Sequence, residues 1–308
     1  MRFQERDGKL LRVINDYDGV LARRHLKEMF WPGASLRVVQ RRISILVEHS
    51  YLSRPTKIEW RTRPIPEAIY WLGWKGAIWL AAQRGIDVKP PENEGENQMR
   101  RLQRVLREQG FYWMREPRWS RLLHDLTVID FRLMLEKSVA NLPSINIEHW
   151  ALESEFRSDM DKVEFRFKDK DGNVKQGKRG VCPDFFFVIA DEERKRSGEF
   201  YRLPLLLEID MGSHPVSSRF RRQKAAPYAA YLQSPAYQDR FGFNTGAWLI
   251  VTSGEQRMRN LLRQTEEALG RDAKCFFFAR FSDVKENILS APVWHQAGRS
   301  EPRSILSI

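Results

Sequence analysis

Apolar positions in the first fifty residues recur at helical spacing. Residues 8–17 read as one helix, a turn at Asp18-Gly19 leads to a second over 20–30, and Pro32-Gly33 stops it. Ser35 then stands as N-cap of a third helix, 36–49. Val38, Val39, Ile43, Leu46 and Val47 fall on its apolar stripe, with Arg37, Arg41 and Arg42 mainly off it. Beyond it the rhythm changes. Residues 57–61 read as extended, Pro64 and Pro66 mark a turn, 68–72 form a strand-like run, and Gly73-Trp74-Lys75-Gly76 opens another short helix. Three helices and a hairpin is the order of a winged helix-turn-helix domain. In that reading the third helix enters the major groove of duplex DNA with Arg37, Arg41 and Arg42, and the wing with Lys57 and Arg61 contacts the backbone. A helical bundle with a solvated arginine face is the alternative.

A Pro-, Glu- and Asn-rich stretch over 88–97 reads as a linker, and 98–109 as a basic amphipathic helix ending at Gly110. From Trp119 a second pattern begins. It predicts a long helix over 122–140, a strand over 145–157 with Glu153 near its end, and a hairpin around Lys170-Asp171-Gly172-Asn173. Buried strands follow at 181–190 and 203–210, a helix at 219–232, a strand at 247–252, a helix at 256–269 and a strand at 275–281. The tail beyond Gln296 carries weak signals and reads as loosely ordered. The fold class is α/β (α+β), with a first domain over 1–89, a bridge over 90–119 and a second domain over 120–308.

Composition narrows the picture. An apolar share of 42% in 308 residues supports packed cores and argues against disorder. No apolar run approaches the roughly 20 residues that span a bilayer, and the first residues lack an apolar signal region, so the expected location is the cytoplasm. Cys182 and Cys275 make neither a disulfide framework nor a zinc site. The formal net charge of +12 favours a polyanionic partner. Residues 1–123 hold 24 Lys and Arg against 14 Asp and Glu, whereas 124–308 hold 28 against 26, so the basic excess lies at the N-terminal end.

The chemistry concentrates elsewhere. Pro183-Asp184 opens the Phe-rich strand, Glu208-Ile209-Asp210 closes the Leu-rich one, and Lys224-x-x-x-Tyr228 follows on a basic segment. Alternation along a strand points Glu208 and Asp210 the same way, and pairing of the two strands brings Asp184 beside them. Carboxylates that close repel one another unless a hard cation intervenes, and Mg²⁺ or Mn²⁺ is the expected occupant. Beside a basic surface this spells metal-assisted phosphodiester cleavage. Glu153 and Glu136 are further ligand candidates, and His124 and His214 further polar ones. The opposing reading makes the acids strand-end caps or ion-pair partners of Arg219, Arg221 and Arg222. No Walker-type loop, Gly-x-Ser-x-Gly or zinc-deaminase spacing is present.

Pro-Asp, strand, Glu-x-Asp and basic helix in this order resemble the PD-(D/E)XK nuclease superfamily over about residues 120–285. With the winged-helix order and the His124-Asp125-Leu126 helix, the chain resembles the plasmid replication-relaxation family. The resemblance implies a restriction-endonuclease-like second domain, with Asp184 as the metal-binding aspartate and Glu208 as the second acidic ligand. The motif lysine belongs two residues after that acid, where this chain has Asp210. Lys224 with Tyr228, and Gln223 beside it, resembles members that recruit the lysine or a glutamine from the following helix. The function implied is a metal-dependent endonuclease acting in plasmid or mobile-element replication or transfer. The alternative is a non-catalytic DNA-binding regulator on a degenerate nuclease fold. Double-stranded DNA is the expected partner, and a homodimer is left open.

Overall fold

The computed structural model describes residues 1–168, 171–212, 224–285 and 287–307, with Lys168 described by its backbone alone. Lys170, His214, Arg219, Arg221, Arg222 and Gln223, and with them the start of the helix expected over 219–232, lie outside the described residues. The fold is mixed α/β. It divides into two compact units, Met1–Asp130 and Phe131–Ile308.

The first unit runs α1 (Glu5–Asp16), β1 (Val20–Ala22), α2 (Arg23–Phe30), α3 (Leu36–Glu48), β2 (Leu52–Ser53), α4 (Lys57–Thr62), β3 (Ile69–Leu72), α5 (Trp74–Gln83) and α6 (Glu96–Glu108), and ends within α7 (Leu122–Ala140). Its small antiparallel sheet has the order β1-β3-β2. Two expectations are corrected here. The helix predicted over 20–30 begins only at Arg23, because Val20, Leu21 and Ala22 are fully buried and pair with Trp71, Tyr70 and Ile69. Sheet pairing outweighs local helical preference. The stretch 57–61 is helical, not extended. Thr56 accepts from Glu59 N–H at 3.2 Å and its own N–H donates to the Glu59 carboxylate at 2.7 Å, a capping box that satisfies the first turn.

Helix α3 is fastened to α1 by a buried ion pair. Arg42 donates through Nε to Asp7 at 2.9 Å and through Nη2 to the other Asp7 oxygen, and Asp7 is wholly buried. Helix α5 docks close to the chain entering β2: a Cβ on Gly76 would lie 2.3 Å from the Tyr51 carbonyl oxygen, so glycine is required there. Residues after α6 return to β3, where the Trp113 indole donates to Leu72 O at 3.0 Å and the Trp71 indole to Arg115 O at 2.8 Å.

The second unit continues with β4 (Ile145–Leu152), α8 (Glu153–Ser158), β5 (Lys162–Lys168), β6 (Val174–Gly180), β7 (Phe185–Asp191), α9 (Glu192–Arg196), β8 (Arg202–Asp210), α10 (Ala226–Leu232), α11 (Pro235–Phe241), β9 (Ala247–Thr252), α12 (Glu255–Leu269), β10 (Phe276–Arg280), α13 (Phe281–Val284) and β11 (His295–Gln296). Six strands form a mixed sheet, β11-β10-β9-β8-β7-β4, in which β8, β9 and β10 are parallel; β5 and β6 form a separate ribbon. The strand expected over 145–157 stops at Leu152, whose N–H donates to Glu155 at 2.8 Å and starts α8. The tail is also tied down, correcting the loose order expected beyond Gln296. Trp294 and Arg303 exchange backbone hydrogen bonds, and Ile305 is buried.

Apolar side chains fill both faces of this sheet. Phe185 and Phe187 lie tilted against Trp150, and Phe131 of α7 meets Phe187 at a ring-centroid distance of 6.4 Å. On the other face Phe186, Val188, Leu206, Trp248 and Ile250 pack under Tyr228 and Tyr231 of α10 and Met258 and Leu261 of α12. Charged groups on that second face are therefore forced into buried company.

Candidate active site

Strand β8 carries the acidic pair, and its alternation divides their neighbours. Leu206 and Glu208 face the layer formed by α10 and α12, so Glu208 extends an apolar row and is 6% exposed. Strand β7 pairs antiparallel with β8, Phe185 opposite Leu207, which sets Asp184 across from Glu208. Asp184 is locked at that end: its N–H donates to Leu207 O at 3.0 Å, and its Oδ2 accepts from Ile209 N–H at 2.7 Å. Two buried carboxylates thus lie side by side on adjacent strands.

A π-helical turn at Lys224–Ala225 leads into α10, whose first residues include Pro227. Proline fits there because its missing N–H falls where the helix has no partner to offer. The spacing of four puts Lys224 and Tyr228 on one face. Lys224 Nζ donates to Glu208 Oε1, and the Tyr228 hydroxyl donates to Glu208 Oε2 at 2.7 Å. The Tyr228 ring is held by Trp248, stacked 3.8 Å away and nearly parallel, with the indole N–H donating to the Tyr228 carbonyl at 3.0 Å. Ala225, Ala226 and Ala229 are buried, so small side chains let the helix approach the sheet.

The electrostatics follow from burial. Loss of water pushes the Glu208 pKa up; Lys224 opposes that, the Asp184 charge adds to it, and the net direction is upward. Burial alone would lower Lys224, but Glu208, with Asp184 and Asp210 behind it, holds it protonated above the usual lysine value. Burial and the Glu208 charge raise Tyr228, which stays a neutral donor. Burial likewise pushes the nearby Cys182 thiol up to about 11.

The remaining expected site residues fall in other company. Asp210 accepts from Arg257 Nε at 2.5 Å and Nη2 at 2.9 Å. Glu153 sits at the start of α8 and accepts from Arg157 at 2.9 and 2.7 Å. Glu136 accepts from Arg132 at 2.9 Å. Among the described residues, no group of three or more His, Cys, Asp or Glu side chains is placed to hold a metal ion. His124 lies in the first unit, 3.6 Å from Asp125. Arg257 carries no signal in the sequence, whereas Glu153 and Arg157 stand at i and i+4, a spacing that declares the pair once the helix is recognised. In the first unit Arg37 and Arg41 of α3 and Lys57 and Arg61 of α4 are exposed. Arg42 is turned inward on Asp7.

No helix among the described residues is long and apolar enough to cross a membrane. No curated protein and no solved structure matches the chain. The sequence pattern of replication-relaxation proteins matches residues 11–246 of its 308. A match over that much of the chain, through both units, is decisive: the protein belongs to the replication-relaxation family.

Proposed function

We propose that this protein binds double-stranded DNA and cuts one of its phosphodiester bonds, as a Mg²⁺- or Mn²⁺-dependent nicking or cleaving endonuclease in plasmid or mobile-element replication or transfer. Family membership suggests the replication role. The observation that carries the chemistry is Glu208, buried beside Asp184 and gripped by the Lys224 ammonium and the Tyr228 hydroxyl. A lysine supplied from the helix after the acidic strand is what a PD-(D/E)XK centre with Asp210 at the motif position requires.

The donor set suits a hard cation. Mg²⁺ characteristically takes one or two protein carboxylates and completes its shell with water and substrate phosphate, so Asp184 and Glu208 are sufficient without a third acid. Bound there, the ion would supply charge neutralisation at the scissile phosphate. Lys224, drawn from Glu208 toward the substrate, positions the attacking water and offsets negative charge developing on phosphorus. Tyr228 keeps Glu208 oriented during that exchange. Arg257 holds Asp210 out of the ligand set, and Arg157 does the same for Glu153.

The first unit supplies the DNA grip in this reading. Strand β1 between α1 and α2, pairing with a β3 that runs antiparallel to β2, supports a winged helix whose α3 presents Arg37 and Arg41. Lys57 and Arg61 reach the backbone from a helix inserted where a plain wing strand was expected. Arg42 sets the angle of α3 through Asp7.

Two measurements test this. Mn²⁺ should raise the thermal midpoint of the wild type and leave that of Glu208→Gln unchanged; a wild-type midpoint indifferent to the metal would count against the site. A short duplex should bind with an affinity that falls steeply with salt. The regulator reading is favoured by one observation, that Glu208 and Asp210 are already neutralised by Lys224 and Arg257. It predicts duplex binding with no response to metal.

A further inference from the structure

The β5–β6 ribbon is a sheet of its own, paired from Lys162 opposite Gly180 to Lys168 opposite Val174. Its strands carry Lys162, Arg166, Lys168, Lys175, Lys178 and Arg179 against a single acid, Glu164. Residues 162–180 hold seven Lys and Arg against three Asp and Glu, a net +4, whereas all of 124–308 amounts to +2. The ribbon therefore accounts for the whole positive excess of the C-terminal part, and the remainder is net negative. Lys162, Arg166, Lys175 and Arg179 are exposed, and Lys178 meets Glu164 at 3.3 Å in a pair open to solvent on both sides. Such a pair stabilises little.

One side of the ribbon is anchored. Val163 is buried in the cluster with Tyr228 and Tyr231, and the Phe165 ring lies across Gly177, where a Cβ would come within 2.7 Å of it. The base is clamped as well. Asp161 accepts from the Tyr231 hydroxyl and from Arg240 Nε, both at 2.6 Å, and Val181 N–H donates to Asp161 O at 2.9 Å. Arg166 and Lys178 line a cleft of about 740 Å³ between the ribbon and the small residues Ala226, Ala229 and Ala230. The ribbon thus rests on the helix whose Tyr228 binds Glu208, and its second strand ends four residues before Asp184. Four residues reach at most about 14 Å, and seven strand residues span about 23 Å. Phosphates along one strand of a duplex advance about 3.4 Å each, and the major groove, about 12 Å wide, admits a two-stranded ribbon.

We propose that this ribbon is a second duplex-DNA contact, in the same unit as the candidate active site, gripping phosphates a few nucleotides from the bond to be cut. The inference rests on the proposal that DNA is the substrate. It adds that the second unit holds the duplex itself instead of depending on α3 and α4 alone.

The test is the salt dependence of affinity for a short fluorescent duplex of arbitrary sequence, using the full chain. Changing Lys162, Arg166, Lys175 and Arg179 together to Gln keeps their aliphatic stems and should lower the slope of log affinity against log salt by about 2–4. Affinity at physiological salt should fall at least about tenfold. Exchanging Lys for Arg, and Arg for Lys, at the same positions should restore both values. An unchanged slope in the Gln variant, with Arg37→Ala/Arg41→Ala weakening binding, overturns the ribbon and leaves the DNA reading standing. A wild type that binds no duplex overturns both.

Discussion

Glu208 sits under opposed influences. Burial and the Asp184 charge disfavour its carboxylate, Lys224 and Tyr228 favour it, and the outcome is a pKa above the ordinary value. Metal binding needs that carboxylate ionised, so Mn²⁺ affinity should fall as pH drops through this raised pKa, earlier than an exposed glutamate would dictate. Lys224→Ala removes a positive charge that lowers the Glu208 pKa, which should move the acidic limb of Mn²⁺ binding to higher pH. The same substitution should cut the cleavage rate by at least about 100-fold, the usual cost of losing one charge-stabilising donor, with duplex affinity nearly intact. An unmoved limb would show that Lys224 and Glu208 are not coupled. Tyr228→Phe keeps the Trp248 stack but strips a buried oxygen of its donor. Urea unfolding should report a loss of about 1–3 kcal/mol, and no loss would mean the bond contributes nothing. Asp184 and Glu208 are legible as neighbours from the sequence, and Lys224 and Tyr228 as one helix face, but only the family resemblance points that face at the carboxylates. Strand alternation, antiparallel pairing and an i, i+4 spacing are short-range geometry. The partner of Asp210 is not legible, because Arg257 lies 47 residues further on and reaches it only through the packing of α12 on the sheet.

At the scale of elements, α3 is where two kinds of arginine part company. Arg37 and Arg41 are exposed, whereas Arg42 is bound to the buried Asp7, which holds its guanidinium pKa above the usual value. Arg42→Ala leaves a buried carboxylate without its cation and should destabilise the protein by about 3–5 kcal/mol. Arg37→Ala with Arg41→Ala should leave the thermal midpoint unchanged and weaken duplex binding. If the two variants behaved alike in both assays, the outward face of α3 would not be the one that meets DNA. The helical stripe of α3 can be read from the sequence, and Arg42 falls on it while Arg37 and Arg41 lie on the far side. What Arg42 meets there, Asp7, is placed by a different helix and is not legible. The same limit explains α4 and β1. The Thr56–Glu59 capping box is written in the sequence but overshadowed by the flanking prolines. Val20-Leu21-Ala22 is too short a run to declare itself a strand without its partner at 69–71.

For the whole molecule, charge and chemistry are distributed unevenly. Most of the net positive charge belongs to residues 1–123, while the carboxylate–lysine cluster belongs to the second unit, whose basic charge gathers on one ribbon. That division is visible as a compositional trend. The ribbon's separation from the six-stranded sheet is not, since hairpins that join a sheet and hairpins that leave it share one turn signal. The order of strands and helices from 122 onward is readable because the runs at 185–191, 203–210 and 247–252 are too apolar to lie anywhere but inside. The central claim is that Asp184, Glu208, Lys224 and Tyr228 cut DNA, and conversion of supercoiled plasmid to open circles or linear molecules tests it most directly. With Mg²⁺ or Mn²⁺ the wild type should produce open circles or linear molecules, and Glu208→Gln and Lys224→Ala should bind the same plasmid without producing either. A wild type that binds the plasmid and leaves it supercoiled with either metal would contradict the claim and leave a DNA-binding regulator in its place.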